Sequence, residues 1–441
     1  MKRTSTLKLW VSAAVFGLMA FASCKKENNA GLVTTLAITS QGGDDTTSVG
    51  KSITFKPTVN NTNNVTYTWT VNGVKKGSGA TFTYTPVNRG VDQVTFKVSA
   101  ALASSTINYK VHVNGRYENG FFIVNEGWFG HGTGSVSFYG YDTKIKQDSI
   151  FTKENPGKNF NPTTSTMEYG AIFDNRLFLV SKAGGPVVVT DPYSLKELGR
   201  IPAAGGSSWM GFVGIDASKG LLSSGSGVYP FNLTSYTTGS KLTSVTGTVG
   251  DMIKSGNYIF VLSESKGVVV LNAADYSVAK TIPDMEVAFA KTPDGSVWAA
   301  GGTSLIKINP STLDVTTVAL PFTAYGTWFA WHPGSITAST KTNTIYIANN
   351  GMFSGATTIY KYDGTAASVQ NPLITIPTGK ELYGAGVKYL PQTDQLAVTT
   401  VESGYGTHYA ANNLYFYNTS GALVSNLAYS GYYFPATPVT Y

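Results

Sequence analysis

The sequence predicts an all-β protein, with an N-terminal immunoglobulin-like β-sandwich followed by a seven-bladed β-propeller closed by the C-terminal strand. Three observations predict it. Gly (48 residues) and Tyr (26 residues) are abundant beside many Thr, Ser and Val, a composition suited to short strands and tight turns. Residues 33–114 alternate apolar and polar positions in several runs. From Tyr117 onward, a strand that ends in Asp or Asn at a turn recurs seven times.

The chain begins with a positive start (Lys2, Arg3, Lys8) and an apolar stretch from Leu9 to Phe21 that is too short to span a bilayer, the layout of an export signal over residues 1–23. Phe21-Ala22-Ser23-Cys24 resembles the lipobox of bacterial lipoproteins, which implies that Cys24 is the lipidated N-terminus of the mature chain. Cys24 is the only cysteine, so it can form no internal disulfide and no cysteine-based metal cluster. A permanent anchor needs more than one acyl chain, as a processed lipoprotein has. Residues 24–32 are polar and read as a tether. The expected location is therefore the outer membrane of a Gram-negative cell, lipid-anchored and exposed at the surface.

Between 33 and 114, the runs Ser52–Lys56, Val65–Val71 and Gln93–Val98 alternate around Trp69 and are separated by Gly and Asn turns. About eighty residues with a core Trp and this many strands fit one immunoglobulin-like sandwich. Val71-Asn72-Gly73 and the strand entry Gly90–Thr95 resemble PKD-type domains, which serve as spacers.

In the remainder, 117–441, the Asp or Asn turns stand at 142, 191, 232, 272, 309, 363 and 418. Their spacing of 37 to 55 residues fits four short antiparallel strands per unit, the size of a propeller blade. A second feature, a turn followed by an apolar strand such as Asn175–Val180 or Asn257–Leu262, occurs only six times. The first unit opens directly on Phe121–Val124, and an extended segment, Tyr432–Val439, is left over at the end. A ring that stayed open would expose two sheet edges, so the C-terminal segment is expected to supply the first unit's missing inner strand.

In such a ring, the loops joining second to third strands and those joining successive blades share one face. Here they are rich in aromatic and amide groups. Asn125, Trp128, Phe129, Trp209, Trp328, Trp331, Asn349, Asn350, Tyr383 and Tyr405 are the candidate ligand-binding residues. This mixture suits a bulky, partly apolar, hydrogen-bonding small molecule. The opposite face carries plain turns such as Asp174-Asn175 and Asp294-Gly295. Glu126, Glu168 and Asp251 form a possible acidic set in the channel mouth, although three carboxylates from separate blades are more often solvated.

Several functions are disfavoured. The net charge of +7 falls to +4 without Lys2, Arg3 and Lys8, and only 13% of residues are charged, which argues against nucleic-acid binding. The four histidines are scattered without ligand-type spacing, and no hydrolase, nucleotide or dinucleotide motif appears. The reading therefore assigns no catalytic residue, metal or cofactor, and takes the chain as a binding protein rather than an enzyme.

Val124–Gly127, Ala171–Ile201, Tyr360–Thr365, Tyr383–Val387 and Tyr433–Val439 resemble the propeller lipoproteins of Bacteroidetes, among them the BtuG-type surface proteins. That resemblance implies capture of cobalamin or a related corrinoid and delivery to a TonB-dependent outer-membrane transporter. It carries over no ligand contact residue by residue. A glycan-binding or adhesive propeller without a transport role is the alternative.

Overall fold

The computed structural model describes residues 32–33, 35–203, 208–328, 331–404 and 406–441. Cys24, the export signal and Tyr405 lie outside the described residues. Two compact units are present: a smaller one including Ser52–Thr85 and Val91–His112, and a larger one containing Val113–Tyr441. No helix among the described residues is long and apolar enough to cross a membrane.

The smaller unit is organised by Trp69. A five-stranded sheet includes Thr66–Val71, Gly90–Ser99 and Ser104–Asn114, and a two-stranded sheet pairs Ile53–Phe55 with Phe82–Tyr84. Trp69 is fully buried between them, its ring 4.6 Å from Phe96, 5.3 Å from Phe82 and 5.9 Å from Phe55. Its indole N–H, which burial would otherwise leave unpaired, donates to Gly79 O at 2.9 Å.

The larger unit consists of seven sheets, each of four antiparallel strands except the fifth, which has three. The leading strands of sheets two to seven are Met167–Phe173, Trp209–Asp216, Val249–Ser255, Val287–Lys291, Ile336–Ala338 and Lys380–Leu390. Each lies beside the leading strand of the next sheet. The chain's last strand, Pro435–Val439, pairs with Gly120–Asn125 as the leading strand of sheet one, and it also lies beside the leading strands of sheets seven and two. The succession of sheets thus returns on itself, in a β-propeller-like fold.

The recurring Asp or Asn has a structural cause. The recurring residue stands at or just past a strand end, and at five of the seven turns, 191, 232, 309, 363 and 418, its side-chain oxygen accepts from backbone N–H groups of the turn that follows. Asp191 Oδ1 accepts from Tyr193 N and Ser194 N, Asn232 Oδ1 from Thr234 N and Ser235 N, and Asn418 Oδ1 from Ser420 N and Ala422 N. In four of the seven turns the residue four positions on returns its N–H to the Asp or Asn carbonyl: Leu195, Tyr236, Tyr276 and Leu313. All four adopt positive φ, between 54° and 61°, a conformation an L-residue holds only where tertiary packing fixes it. The packing is evident: Leu195 is fully buried and Leu313 nearly so.

All five residues of Pro435–Val439 are buried, and Thr437 Oγ1 donates to Glu168 O in the next sheet. Deleting residues 435–441 should therefore lower stability by roughly 3–5 kcal/mol, from about 1 kcal/mol per lost ladder bond plus re-exposed apolar edge. Urea unfolding measures this. A midpoint equal to that of the full chain would show that the ring does not depend on its last strand.

Candidate functional site

Closure of the ring shapes one channel mouth. On its way to the last strand the chain crosses Gly431–Phe434, where Phe434 O accepts from Glu126 N at 2.8 Å and Tyr433 O from Gly127 N at 3.3 Å. Asn412 Nδ2 donates to Tyr432 O at 2.9 Å. Phe434 itself sits at φ 52°, a conformation that costs on the order of 1–3 kcal/mol and points to a position fixed by its surroundings.

This segment ties the aromatic groups of three sheets into one array. The Trp128 ring stacks on His131 at 3.9 Å and on Tyr433 at 4.9 Å. Phe434 lies 4.3 Å from Tyr383 and 4.6 Å from Tyr409, and Tyr383 lies 5.0 Å from His332. Beside the array opens a cleft of 650 Å³, lined among others by His332, Asn350, Glu381, Tyr383, Tyr409 and Phe434. At its rim Met352 and Phe353 are 53% and 78% exposed. A shallower recess of 320 Å³ lies under Trp128 and Tyr433.

Tyr383 reaches this position through a bulge. The pairing of Lys380–Leu390 with Gln395–Glu402 shifts register between Leu382 and Val387. Gly384 within it has φ 64°, and a Cβ there would lie 2.4 Å from Ala436 O, so only glycine permits the closing strand so near. Ser335 Oγ holds the bulge, donating to Gly384 O at 2.5 Å and accepting from Gly386 N at 3.0 Å.

Beneath the mouth lies a buried ionic cluster. Lys182 Nζ stands 2.8 Å from Glu168 Oε1, 3.6 Å from Glu126 Oε1 and 2.7 Å from Trp331 O, to which it donates. Burial pushes the Glu168 carboxyl well above the usual carboxylate range; Glu126 adds to this and Lys182 opposes it. Burial works against the Lys182 ammonium, but Glu168 and Glu126 outweigh it and raise its pKa. Burial and the neighbouring Glu126 therefore favour the neutral form of the Glu168 carboxyl, against the pull of Lys182. Above this cluster, burial and the positive charge of Lys182 hold His332 neutral, its pKa lowered to about 4. Its Nδ1 donates to Pro333 O at 3.0 Å.

The residues expected on the binding face divide into three groups. Asn125, Trp128, Asn350 and Tyr383 line the recesses, and Phe129 is exposed beside them. Asn125 is buried: its Nδ2 donates to Ser135 and Ser137 hydroxyls, while its Oδ1 has no protein partner. Asn349 is tied into the sheet-six loop, its N donating to Thr358 O. Trp328 is half-buried and packs partly against the core of sheets four and five. Trp331 is buried over Gly250, where a Cβ would lie 2.6 Å from its Nε1. Trp209 corrects the expectation: it is a core residue, 3% exposed, with Nε1 donating to Pro202 O at 2.8 Å and its ring edge-on to Tyr229.

The acidic set is corrected too. Glu126, Glu168 and Asp251 are buried rather than solvated. Asp251 stands apart from the other two, accepting from Met252 N and Phe289 N, with burial raising its pKa to about 6. The sequence reading missed Lys182, His332 and Phe434 as parts of one site. Nothing in the sequence around Lys182 marks it as the partner of two acids.

These features define a β-propeller-like protein whose closing segment walls an aromatic, hydrogen-bonding cleft at one channel mouth. The chain belongs to the family described as Domain of unknown function (DUF5074), whose model matches residues 119–440. Among solved structures it is similar to a quinonprotein alcohol dehydrogenase-like protein from Bacteroides thetaiotaomicron, with TM-score 0.58 and 17% identity over 92% of this chain and 100% of that one. A protein from Lactobacillus plantarum matches with TM-score 0.51 and 15% identity over 73% and 98%. At these identities the likeness is one of fold. No curated protein matches the sequence.

Two predictions follow from this geometry. Trp209→Ala should cost about 3–5 kcal/mol of stability, as expected for a buried Trp, and should leave ligand affinity unchanged in the folded fraction; calorimetry with a binding titration tests both halves. His332 has a folded-state pKa of about 4 against an ordinary 6.5. Its contribution to stability is therefore fully present above about pH 6.5 and lost as the pH falls toward 4. His332→Gln should lose less stability than the parent between those pH values; Asp251, whose raised pKa acts in the opposite sense, cancels in the comparison. Parallel declines in parent and variant would remove His332 from the acid response.

Proposed function

We propose that the chain is a ligand-binding protein of the bacterial cell surface, held in the outer membrane by lipid on Cys24. In this reading the larger unit is a seven-bladed propeller and the smaller one a PKD-like spacer. The ligand is a bulky, partly apolar small molecule, with a corrinoid such as cobalamin the first candidate, delivered to a TonB-dependent outer-membrane transporter. The protein binds and does not catalyse.

The observation that carries the reading is the continuous aromatic array from His131 to His332 beside a 650 Å³ cleft. A cleft of this volume, with an apolar wall and a few polar groups, suits a small molecule. Asn350 Oδ1 is buried at the cleft without a protein partner and is placed to accept from a ligand. Because His332 is held neutral, Glu381 is the one charged group among the described residues lining the cleft, and its Oε2 accepts from Gly355 N at 3.2 Å. This charge balance favours a neutral, amide-rich molecule such as a corrinoid over an anionic glycan.

The test is titration of the purified chain with cyanocobalamin, followed by tryptophan quenching, beside a panel of neutral host glycans. Trp128→Ala and Tyr383→Ala should each weaken cyanocobalamin binding by about 2 kcal/mol, the scale of an aromatic anchor, with little change in melting temperature for Trp128→Ala. Binding of glycans alone would favour the adhesive alternative. Corrinoid binding that survives both substitutions would move the site elsewhere.

A further inference from the structure

The opposite mouth of the channel, where the sequence shows only plain turns, opens the larger cavity. It measures 780 Å³ and is walled by the leading strands of sheets two to five as they run out toward their turns. Much of its wall is apolar, with Ile172, Phe173, Ile215 and Ile253 only half-buried along it, beside the hydroxyls of Ser255, Thr292 and Thr340. Apolar side chains left partly open inside a concave site are what an apolar ligand would cover.

The rim is cationic. Among the described residues, Lys254 and Lys291 are the only charged ones lining the cavity. Lys254 Nζ donates to Gly256 O at 3.0 Å and Lys291 Nζ to Lys254 O at 3.3 Å. Among the described residues, neither ammonium forms an ion pair with a carboxylate. Acids on this face are already engaged: Asp174 pairs with Arg176 at 2.7 Å, Asp294 with Lys307 at 2.8 Å, and Asp394 with Lys341 at 3.5 Å. Asp216 accepts from Ser218 N and Oγ. Two neighbouring ammoniums with carbonyl partners only, set over an apolar funnel, match a ligand with an anionic head and an apolar body.

We propose that this second mouth binds a long-chain fatty acid, its carboxylate between Lys254 and Lys291 and its chain running into the channel past Ile215 and Ile253. The carboxylate supplies the counter-charge the two lysines lack, and the chain covers the exposed apolar wall. The site is separate from the aromatic cleft and does not depend on what that cleft binds.

The experiment titrates the purified chain with the fluorescent 18-carbon carboxylate cis-parinarate and displaces it with palmitate, hexadecanol, acetate or inorganic phosphate. Saturable binding is expected, displaced by palmitate and not by acetate or phosphate. The double variant Lys254→Gln/Lys291→Gln should bind palmitate roughly ten-fold more weakly, the effect of two partly exposed charge pairs, and hexadecanol as before. Ile215→Gln should weaken both. Tyr383→Ala should weaken neither, since it alters the other mouth. Absence of saturable binding would overturn the proposal, as would palmitate affinity unchanged in the double variant or lost with Tyr383→Ala. Displacement by acetate or phosphate as effective as palmitate would reduce the mouth to a simple anion site. A melting temperature unchanged in the lysine variant shows that it folds.

Discussion

The constraint on which the larger unit depends is the pairing of its two ends. A succession of twisted antiparallel sheets leaves one free edge at its start and another at its finish, each a row of unpaired backbone groups. Pro435–Val439 removes both by entering sheet one as its leading strand, beside the leading strands of sheets seven and two. The same act builds the candidate site. To reach its place the chain must cross the channel mouth, and the crossing sets Tyr433 and Phe434 between Trp128 on one side and Tyr383 and Tyr409 on the other. Stability and the shape of the candidate site are therefore coupled through a four-residue segment. The positive φ of Phe434 is where that coupling shows as strain.

The channel has a different chemistry at each end. Under the aromatic mouth, Lys182 is enclosed by Glu126, Glu168 and the Trp331 carbonyl. Burying such a cluster costs desolvation that a hydrophobic filling would avoid, so its value lies in fixing geometry rather than in net stability. It joins loops of sheets one, two and six through one ammonium, and it holds Trp331 across the channel over Gly250. At the far mouth the lysines have, among the described residues, no such partners, and much of the wall is apolar. One end is closed by internal pairing and offers rings and amides; the other is open and offers charge above an apolar funnel.

The turn repeat was legible because its cause is local. An Asp or Asn at a strand end bonds backbone N–H groups two and three residues ahead at most of these turns, as at Asp191 and Asn232, so the residue type is dictated within a single turn. The residue four positions on, in the left-handed region, carries no such mark: Leu195, Tyr236, Tyr276 and Leu313 are ordinary side chains held there by burial and the returning hydrogen bond. Trp209 was misread for a related reason. Its flanking sequence places it near an inter-sheet connection, but whether its ring turns to the mouth or to the core depends on Tyr229 and Pro202, which meet it only after folding.

By itself the sequence determined the all-β class, the period of the repeat and the need for a closing strand, because alternation, turn chemistry and a leftover terminal segment are all properties of short stretches of chain. It also indicated which loops hold the aromatic groups. Only the tertiary structure decided which of those groups meet in a cleft, that Glu126 and Glu168 share Lys182 while Asp251 stands apart, and that the plain-turned face opens the larger cavity. Those outcomes rest on contacts between residues far apart in the chain, as Lys182 is from Trp331, and on how seven leading strands converge around one channel. Neither is encoded in the neighbourhood of any single residue.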